Sequence, residues 1–295
     1  RYSVASLASL AWFAWLARPC LPIIFLRSRT LKLATWNVNS LKVRLDHLLG
    51  WLRENPIDIV CLQETKLPDD RFPVAPLQEA GYEALFSGQP AYNGVAILYR
   101  RDRGLAPSEV VVDNPLLEDH QKRLLTACFG ELRVTCGYFP NGQSVGSDKY
   151  QYKLRWLAAL RDWLAQTAPA QAARHQVLLG DFNVAPADED VHDPARWQGD
   201  VMVSDPERAA YRELLALGLH DAFRFFEQPP RSFSWWDYRQ LAFRRNHGLR
   251  IDLILVSDSL RSRVKACWID KAPRRLEKPS DHTPVVIELD WPGLA

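Results

Sequence analysis

The sequence predicts an α/β protein of the α+β kind, two packed mixed sheets flanked by helices, and three observations carry that reading. From Leu31 onward, short apolar and often β-branched runs alternate with amphipathic stretches. Several consecutive strand-like runs have no helical pattern between them, which favours packed sheets over a doubly wound parallel one. No short repeat, low-complexity tract or Gly/Ser linker follows residue 30, so residues 31–290 read as one domain and 291–295 as a tail.

Taken in order, Leu31–Trp36 reads as the first strand and the amphipathic period of Leu41–Glu54 as the first helix. Ile57–Leu62, Gly94–Tyr99, Leu124–Phe129 and Leu132–Tyr138 follow as strands, each short and apolar. Lys149–Gln166 reads as a helix, Gln176–Leu179 as a strand and Pro206–Leu217 as a helix. Ile251–Val256 and Val285–Leu289 close the series as strands.

Of the 295 residues, 47% are hydrophobic and 24% charged, the balance of a globular protein rather than a disordered or membrane one. The formal charge is +2, yet Arg1, Arg18, Arg27 and Arg29 lie in a first segment without acids, leaving 33 basic and 35 acidic groups beyond it. Any nucleic-acid partner must therefore be met by local basic patches and not by an overall field. Cys20, Cys61, Cys128, Cys136 and Cys267 are odd in number and lack CxxC or Cys/His spacing, which reads as buried free thiols in a reducing cytoplasm.

Residues 1–30 are strongly apolar and broken by Arg18, Pro19 and Pro22. Val4–Ala17 would span roughly 21 Å as a helix, against roughly 30 Å of hydrocarbon, too short to cross a membrane. The segment is expected to be a leader or, in preference, sequence translated upstream of a start near Leu31, and to stand outside the fold.

Polar residues cluster at strand ends, where a cleft can form while the strands stay apolar. They stand in "TWNVNS" (Asn37, Asn39), "CLQETK" (Glu64), "GYFPNG" (Tyr138, Asn141), "LLGDFNVAP" (Asp181, Asn183), "GLRIDLIL" (Asp252) and "KPSDHTPV" (Asp281, His282). Singly, each has an ordinary reading. Glu64 could end a solvated strand, Asp181 and Asn183 could make an Asx turn, and Tyr138 could be a core aromatic. Asp252 is harder to dismiss, because a carboxylate within Ile-Asp-Leu-Ile-Leu is costly unless it meets a donor or cation, for which His282 is the candidate. Together the set is the kit for metal-assisted phosphodiester hydrolysis. Hard oxygen ligands such as Glu64 suit Mg²⁺ or Mn²⁺; Asp181 can activate water, and a protonated His can neutralise charge growing on phosphoryl oxygens.

These stretches, with "RSFSWWDYR" and "NHGLRIDLIL", resemble in order and context the exonuclease III family of apurinic/apyrimidinic endonucleases, its bacterial branch above all. The resemblance runs from residue 31 to about 290. It implies a four-layer α-β-β-α sandwich that hydrolyses DNA on the 5′ side of abasic sites, trims duplex DNA from 3′ ends and removes 3′-blocking groups, as a monomer. It also implies Glu64 as main metal ligand with Asn37 and Asn39 beside it and Asp281 as a further ligand. Asp181 would activate water with help from Asn183, His282 would contact the scissile phosphate, oriented by Asp252, and Tyr138 with Asn141 would bind phosphate or assist the leaving group. Two departures stand out: Asn39 where some relatives carry Asp, and Trp235–Trp236 with Leu249 in the pocket motif, which bears on the balance of abasic cleavage to exonuclease action.

Between Arg231 and Arg250, aromatics interleave with arginines, a pattern that could line a pocket for a flipped sugar and hold backbone phosphates. Trp235, Trp236 and Arg250 are the candidates there, with Arg123, Asn141 and Lys149 elsewhere, Lys153 as a further phosphate contact, and the run Lys271–Lys278 as a strand guide. Two other classes compete: a phosphoesterase of the same superfamily acting on lipid or inositol headgroups, and a DNA-binding scaffold without catalysis.

Overall fold

The computed structural model describes residues 30–167 and 175–291. Most of the apolar leader with its Cys20, and the last four residues of the tail, lie outside the described residues. The strands, in chain order, are β1 (Thr30–Asn37), β2 (Ile59–Gln63), β3 (Tyr82–Ser87), β4 (Val95–Arg100), β5 (Pro107–Val112), β6 (Leu124–Phe129), β7 (Leu132–Tyr138), β8 (His175–Asp181), β9 (Leu219–Asp221), β10 (Asp252–Ser257), β11 (Val264–Ile269) and β12 (Val285–Asp290). The helices are α1 (Leu41–Glu54), α2 (Val74–Glu79), α3 (Asp148–Thr167), α4 (Pro194–Trp197), α5 (Asp205–Leu215) and α6 (Ala242–Arg245).

The strands form two six-stranded sheets, ordered β11-β12-β1-β2-β4-β3 and β5-β6-β7-β8-β10-β9. Both are mixed. β1 and β2 run parallel across the α1 crossover, as do β7 and β8 across α3, and the remaining neighbours are antiparallel. The two sheets thus repeat one path, although the sequence shows no repeat.

Burial explains why the central strands are apolar throughout. Leu31 and Leu33 of β1 turn into the space between the sheets, where they join Cys61, Cys136, Leu179 and Ile254. Ala34 and Trp36 face the other way, under α1, with Leu48, Trp51 and Leu62. On the second sheet Leu178, Leu253 and Leu255 face Trp156, Leu160 and Leu214 of α3 and α5. Strands covered on both faces lose the apolar/polar alternation of a half-exposed strand. The result is the expected four-layer α-β-β-α sandwich, and Cys61, Cys128, Cys136 and Cys267 are buried and unbridged.

Pairing directions bring one end of the sandwich to a focus. β1, β2, β7 and β8 all end there, whereas β10 and β12, antiparallel to β8 and β1, begin there. Tyr138, Asp181 and Asp252 consequently stand in one cross-strand row. The spacing inside this row is tight: a Cβ on Gly180 would lie 1.8 Å from the carbonyl oxygen of Gly137, so any side chain at that position would wedge β7 from β8 beside Asp181.

Candidate active site

The polar groups at the focus stand at strand ends, as Asn37, Tyr138, Asp181 and Asp252 do, or in the turns just beyond them. Asn39 (φ 42°), Glu64 (φ 53°) and Asn183 (φ 50°) occupy the left-handed region, where a residue with a Cβ costs about 1–2 kcal/mol. Asn tolerates that conformation through local hydrogen bonds, and Asn183 makes one, from its backbone N to Asp181 Oδ1 at 2.9 Å. At these three positions the strained backbone sets the direction of a side chain that meets the site.

Asn37 joins the two sheets. Its Nδ2 donates to Glu64 Oε1 (2.8 Å) and to Asp181 Oδ2 (2.9 Å). Glu64 Oε1 also accepts from the Tyr138 hydroxyl at 2.9 Å, and its Oε2 pairs with Lys66 Nζ at 2.8 Å. Asn183 Nδ2 donates to Asp181 Oδ2 (3.2 Å) and to the Phe139 carbonyl (3.0 Å), while its Oδ1 accepts from Asn141 Nδ2 (3.1 Å). Asp252 meets His282 as its isolation in an apolar run demanded: Nδ1 of the imidazole lies 2.9 Å from Oδ2 and 3.0 Å from Oδ1. The other ring nitrogen, Nε2, points to Asp181 Oδ2 at 3.7 Å.

Burial raises the Asp181 carboxyl to about 7; the His282 charge opposes that rise and the Asp252 charge adds to it. Burial alone would push the His282 imidazole down, but the carboxylates of Asp252 and Asp181 outweigh it and raise the group to about 10. The Tyr138 hydroxyl is pushed well up by loss of hydration and by the Glu64 and Asp181 charges, so it stays a proton donor at neutral pH. The site therefore holds an imidazolium fixed by one carboxylate and facing a second carboxylate that can take up a proton near neutrality.

One ligand atom from each of Glu64, Asp181 and His282 lies within 4.8 Å of the others. With His282 held as a cation, Glu64 is the hard-oxygen donor of this group that could hold a divalent ion, and Asp181, turned toward His282, is left to act on water. The donor set fits such an ion. Asn39 and Asp281 form an outer ring: Asn39 Nδ2 donates to Asp281 Oδ1 (2.9 Å), Asn39 Oδ1 accepts from Lys66 Nζ (2.6 Å), and Trp235 Nε1 donates to Asp281 Oδ2 (3.0 Å).

Lys66 and Ser234 act here without having been singled out from the sequence, and Ser280, which stands with Asp281 and His282 in "KPSDHTPV", takes a structural part. Lys66 balances Glu64, although the "ETK" stretch read as an ordinary strand exit. Ser234 Oγ accepts from the backbone N of Asp252 (3.0 Å), and Ser280 Oγ donates to the Asn37 carbonyl at 2.7 Å and accepts from the backbone N of His282 at 3.2 Å. Ser280 stands in the "PSDH" motif itself, which was the available signal; Ser234 carried none.

The basic and aromatic candidates divide. Arg123 stacks over the Tyr138 ring, 4.7 Å from its centroid, and lines a cleft of about 580 Å³ with Asn141 and exposed Lys149. Trp235 is partly buried and lines a cavity of about 260 Å³ with His192, Trp197 and His247. Three residues are corrected. Trp236 is fully buried against Phe233, Ala242 and Phe243, so it lines no sugar pocket. Arg250 is 1% exposed, its Nε donating to Asp190 Oδ1 (2.6 Å) and its Nη2 to Asp221 Oδ2 (2.7 Å), and no DNA phosphate can reach it. Lys153 is wholly buried on Glu207 rather than solvated. Leu249 is likewise fully buried, with Met202 and Ile251 around it. Arg250→Ala is expected to destabilise the fold by about 3–5 kcal/mol in urea unfolding, because it leaves buried Asp221 without its cation and Asp190 with Arg224 alone.

Fold and site together define a phosphoester hydrolase. The chain belongs to the endonuclease/exonuclease/phosphatase family, whose model matches residues 34–282. It is 34% identical over 271 residues to exodeoxyribonuclease III of Haemophilus influenzae, the match covering 88% of this chain and 100% of that one. Among solved structures it is similar to the 3′ phosphatase NExo from Neisseria bound to a product DNA hairpin (TM-score 0.84, 43% identity, 88% of this chain and 100% of that one). It is also similar to an AP endonuclease from Archaeoglobus fulgidus (TM-score 0.83, 38% identity, 88% and 99%). The resemblance read from the motifs is borne out.

Proposed function

We propose that the chain is a metal-dependent DNA repair nuclease that hydrolyses phosphodiesters 5′ to abasic sites, trims duplex DNA in the 3′ to 5′ direction and clears blocked 3′ ends. One observation carries this reading: Asn37 bonds both Glu64 of one sheet and Asp181 of the other, 2.9 Å or less from each, beside an imidazole fixed by Asp252. The names of the similar proteins, an exodeoxyribonuclease, a 3′ phosphatase with a DNA hairpin and an AP endonuclease, support DNA as the substrate.

Asp181 takes the proton of the attacking water, oriented by Asn37 and Asn183, and the water oxygen forms its bond to phosphorus. His282 donates toward a non-bridging phosphoryl oxygen and neutralises the charge that grows there. As the P–O3′ bond breaks, Tyr138 with Asn141 stabilises the departing oxygen. When bound, Mg²⁺, or Mn²⁺ in its place, held by Glu64 with Asn37, Asn39 and Asp281 alongside, supplies charge neutralisation to the phosphoryl group. Arg123 and Lys149 meet the DNA backbone at the cleft they share, and Trp235 contacts the nucleotide next to the scissile bond.

We propose a monomer, and the buried thiols Cys61, Cys128, Cys136 and Cys267 suit a reducing cytoplasm. Among the described residues no helix is long and apolar enough to cross a membrane.

The test is a duplex carrying one abasic site, and a second ending in a 3′-phosphate, each incubated with Mg²⁺ or with chelator. Nicking and phosphate release that vanish with chelator are expected. Inertness toward both duplexes with turnover of a phosphoinositide headgroup would replace the reading, and binding without cleavage would reduce the protein to a scaffold.

A further inference from the structure

Lys153 breaks the pattern of its own helix. The inward stripe of α3 is Tyr150, Lys153, Trp156, Leu157, Leu160, Trp163 and Leu164, the spacing of an apolar helix face, yet among its aromatic and aliphatic members stands a lysine with no exposed surface. An ammonium carries three hydrogens, and all three have acceptors on separate segments. They are the Asn141 carbonyl after β7 (3.1 Å), the Asn183 carbonyl after β8 (2.7 Å) and the Glu207 carboxylate in the first turn of α5. The stem adds contact: a Cβ on Gly142 would sit 3.1 Å from Lys153 Cδ, so the loop after β7 lies directly on the side chain.

Stability alone is a weak reason for this arrangement, because a buried ion pair gains little over well-packed apolar residues of similar size. The carboxylate has other work, accepting from the backbone N of Met202 (2.9 Å) and of Ser204 (3.1 Å) at the start of α5. The ammonium, by contrast, spends two of its hydrogens on main-chain carbonyls of the residues whose side chains meet in the site. Asn141 Nδ2 donates to Asn183 Oδ1 at 3.1 Å, and Asn183 holds Asp181.

We propose that Lys153 is a positioning residue: its buried ammonium ties the loops after β7 and β8 at the Asn141 and Asn183 carbonyls and so sets where Asn141, Asn183 and, through Asn183, Asp181 present their polar atoms. The inference rests on the nuclease reading above. A shift of well under an ångström in such a constellation is felt in the chemical step more than in binding.

The experiment pairs Lys153→Met/Glu207→Gln, which removes both charges and strands neither, with Glu207→Gln alone, which keeps the ammonium on both carbonyls. Both are measured on a duplex ending in a 3′-phosphate with Mg²⁺, at a temperature well below the melting point of each variant. The double variant is expected to fold and to lose tenfold or more in kcat with KM within threefold, while Glu207→Gln keeps kcat within threefold. In ¹⁵N spectra of the same samples the side-chain amide signals of Asn141 and Asn183 should shift or broaden in the double variant alone. Three results overturn the proposal: a folded double variant with kcat within twofold, an equal kcat loss in Glu207→Gln, or a double variant that does not fold, which assigns the pair to stability. Should the unaltered protein be inert toward DNA, the nuclease reading fails instead, and the amide signals alone decide whether Lys153 holds the two loops.

Discussion

Asp181→Asn is expected to leave a folded protein whose rate of phosphate release is lower by roughly 10²–10⁴-fold, the usual worth of a positioned general base. The substitution keeps size and planarity, so the Asn37 and Asn183 side-chain amides keep an oxygen to bond, while the Asn183 backbone N loses its acceptor. What disappears is the carboxylate proposed above to accept the proton from water. Duplex binding should survive, measured by fluorescence anisotropy at fixed salt, and near-normal turnover would remove Asp181 from its role. The same variant has a stability signature. With its carboxyl raised from an ordinary 3.8 to about 7, Asp181 in the metal-free protein contributes stability that is fully present below the ordinary value and lost as pH rises through about 7. Asparagine does not titrate, so urea unfolding in chelator should show the variant gaining on the unaltered protein between pH 4 and 8. A constant difference across that range would mean that Asp181 is not buried as a carboxyl.

Glu64→Gln should have the second large effect, and of a different kind. Glu64 Oε1 already accepts from Asn37 and Tyr138, and a glutamine oxygen can keep those two bonds. The lost charge, however, leaves Lys66 unbalanced and removes the proposed main ligand for a divalent ion. Lewis-acid stabilisation is worth several kcal/mol, so kcat/KM at fixed Mg²⁺ should fall by about 10²–10³-fold. Calorimetric titration with Mg²⁺ should show weakened binding, and added Mg²⁺ should restore part of the activity. If Mg²⁺ affinity is unchanged while activity falls, Glu64 acts on substrate rather than on the ion.

How far the sequence reached depended on burial. The eight strands read from it are the inner ones, and the four it missed, β3, β5, β9 and β11, are the four sheet edges. Edge strands have one unpaired side and fewer covered side chains, so their sequences need not be apolar; β5 is exposed along most of its length and carries a bulge near Ser108. The inner strands are covered on both faces, and that demand is written directly into composition. Helix α1 was legible because its amphipathic period runs along its length.

The site divides along the same line. Residue types near strand ends were readable one by one, since a carboxylate inside an apolar run declares a partner, and Asp252 found His282. Trp236, Arg250 and Lys153 misled for a common reason: an aromatic or cationic side chain in a mixed segment looks the same whether it faces solvent or a buried partner. The sequence by itself determined the alternation of buried strands and helices, and the kind of chemistry that oxygen ligands with a held imidazole can perform. Only the tertiary structure decided which charges meet, because Asp190 and Asp221 reach Arg250, and Asn37 reaches Asp181, through pairings between segments far apart in the chain. Coulomb and hydrogen-bond energies depend on distance in space, and no local pattern of residues encodes that distance.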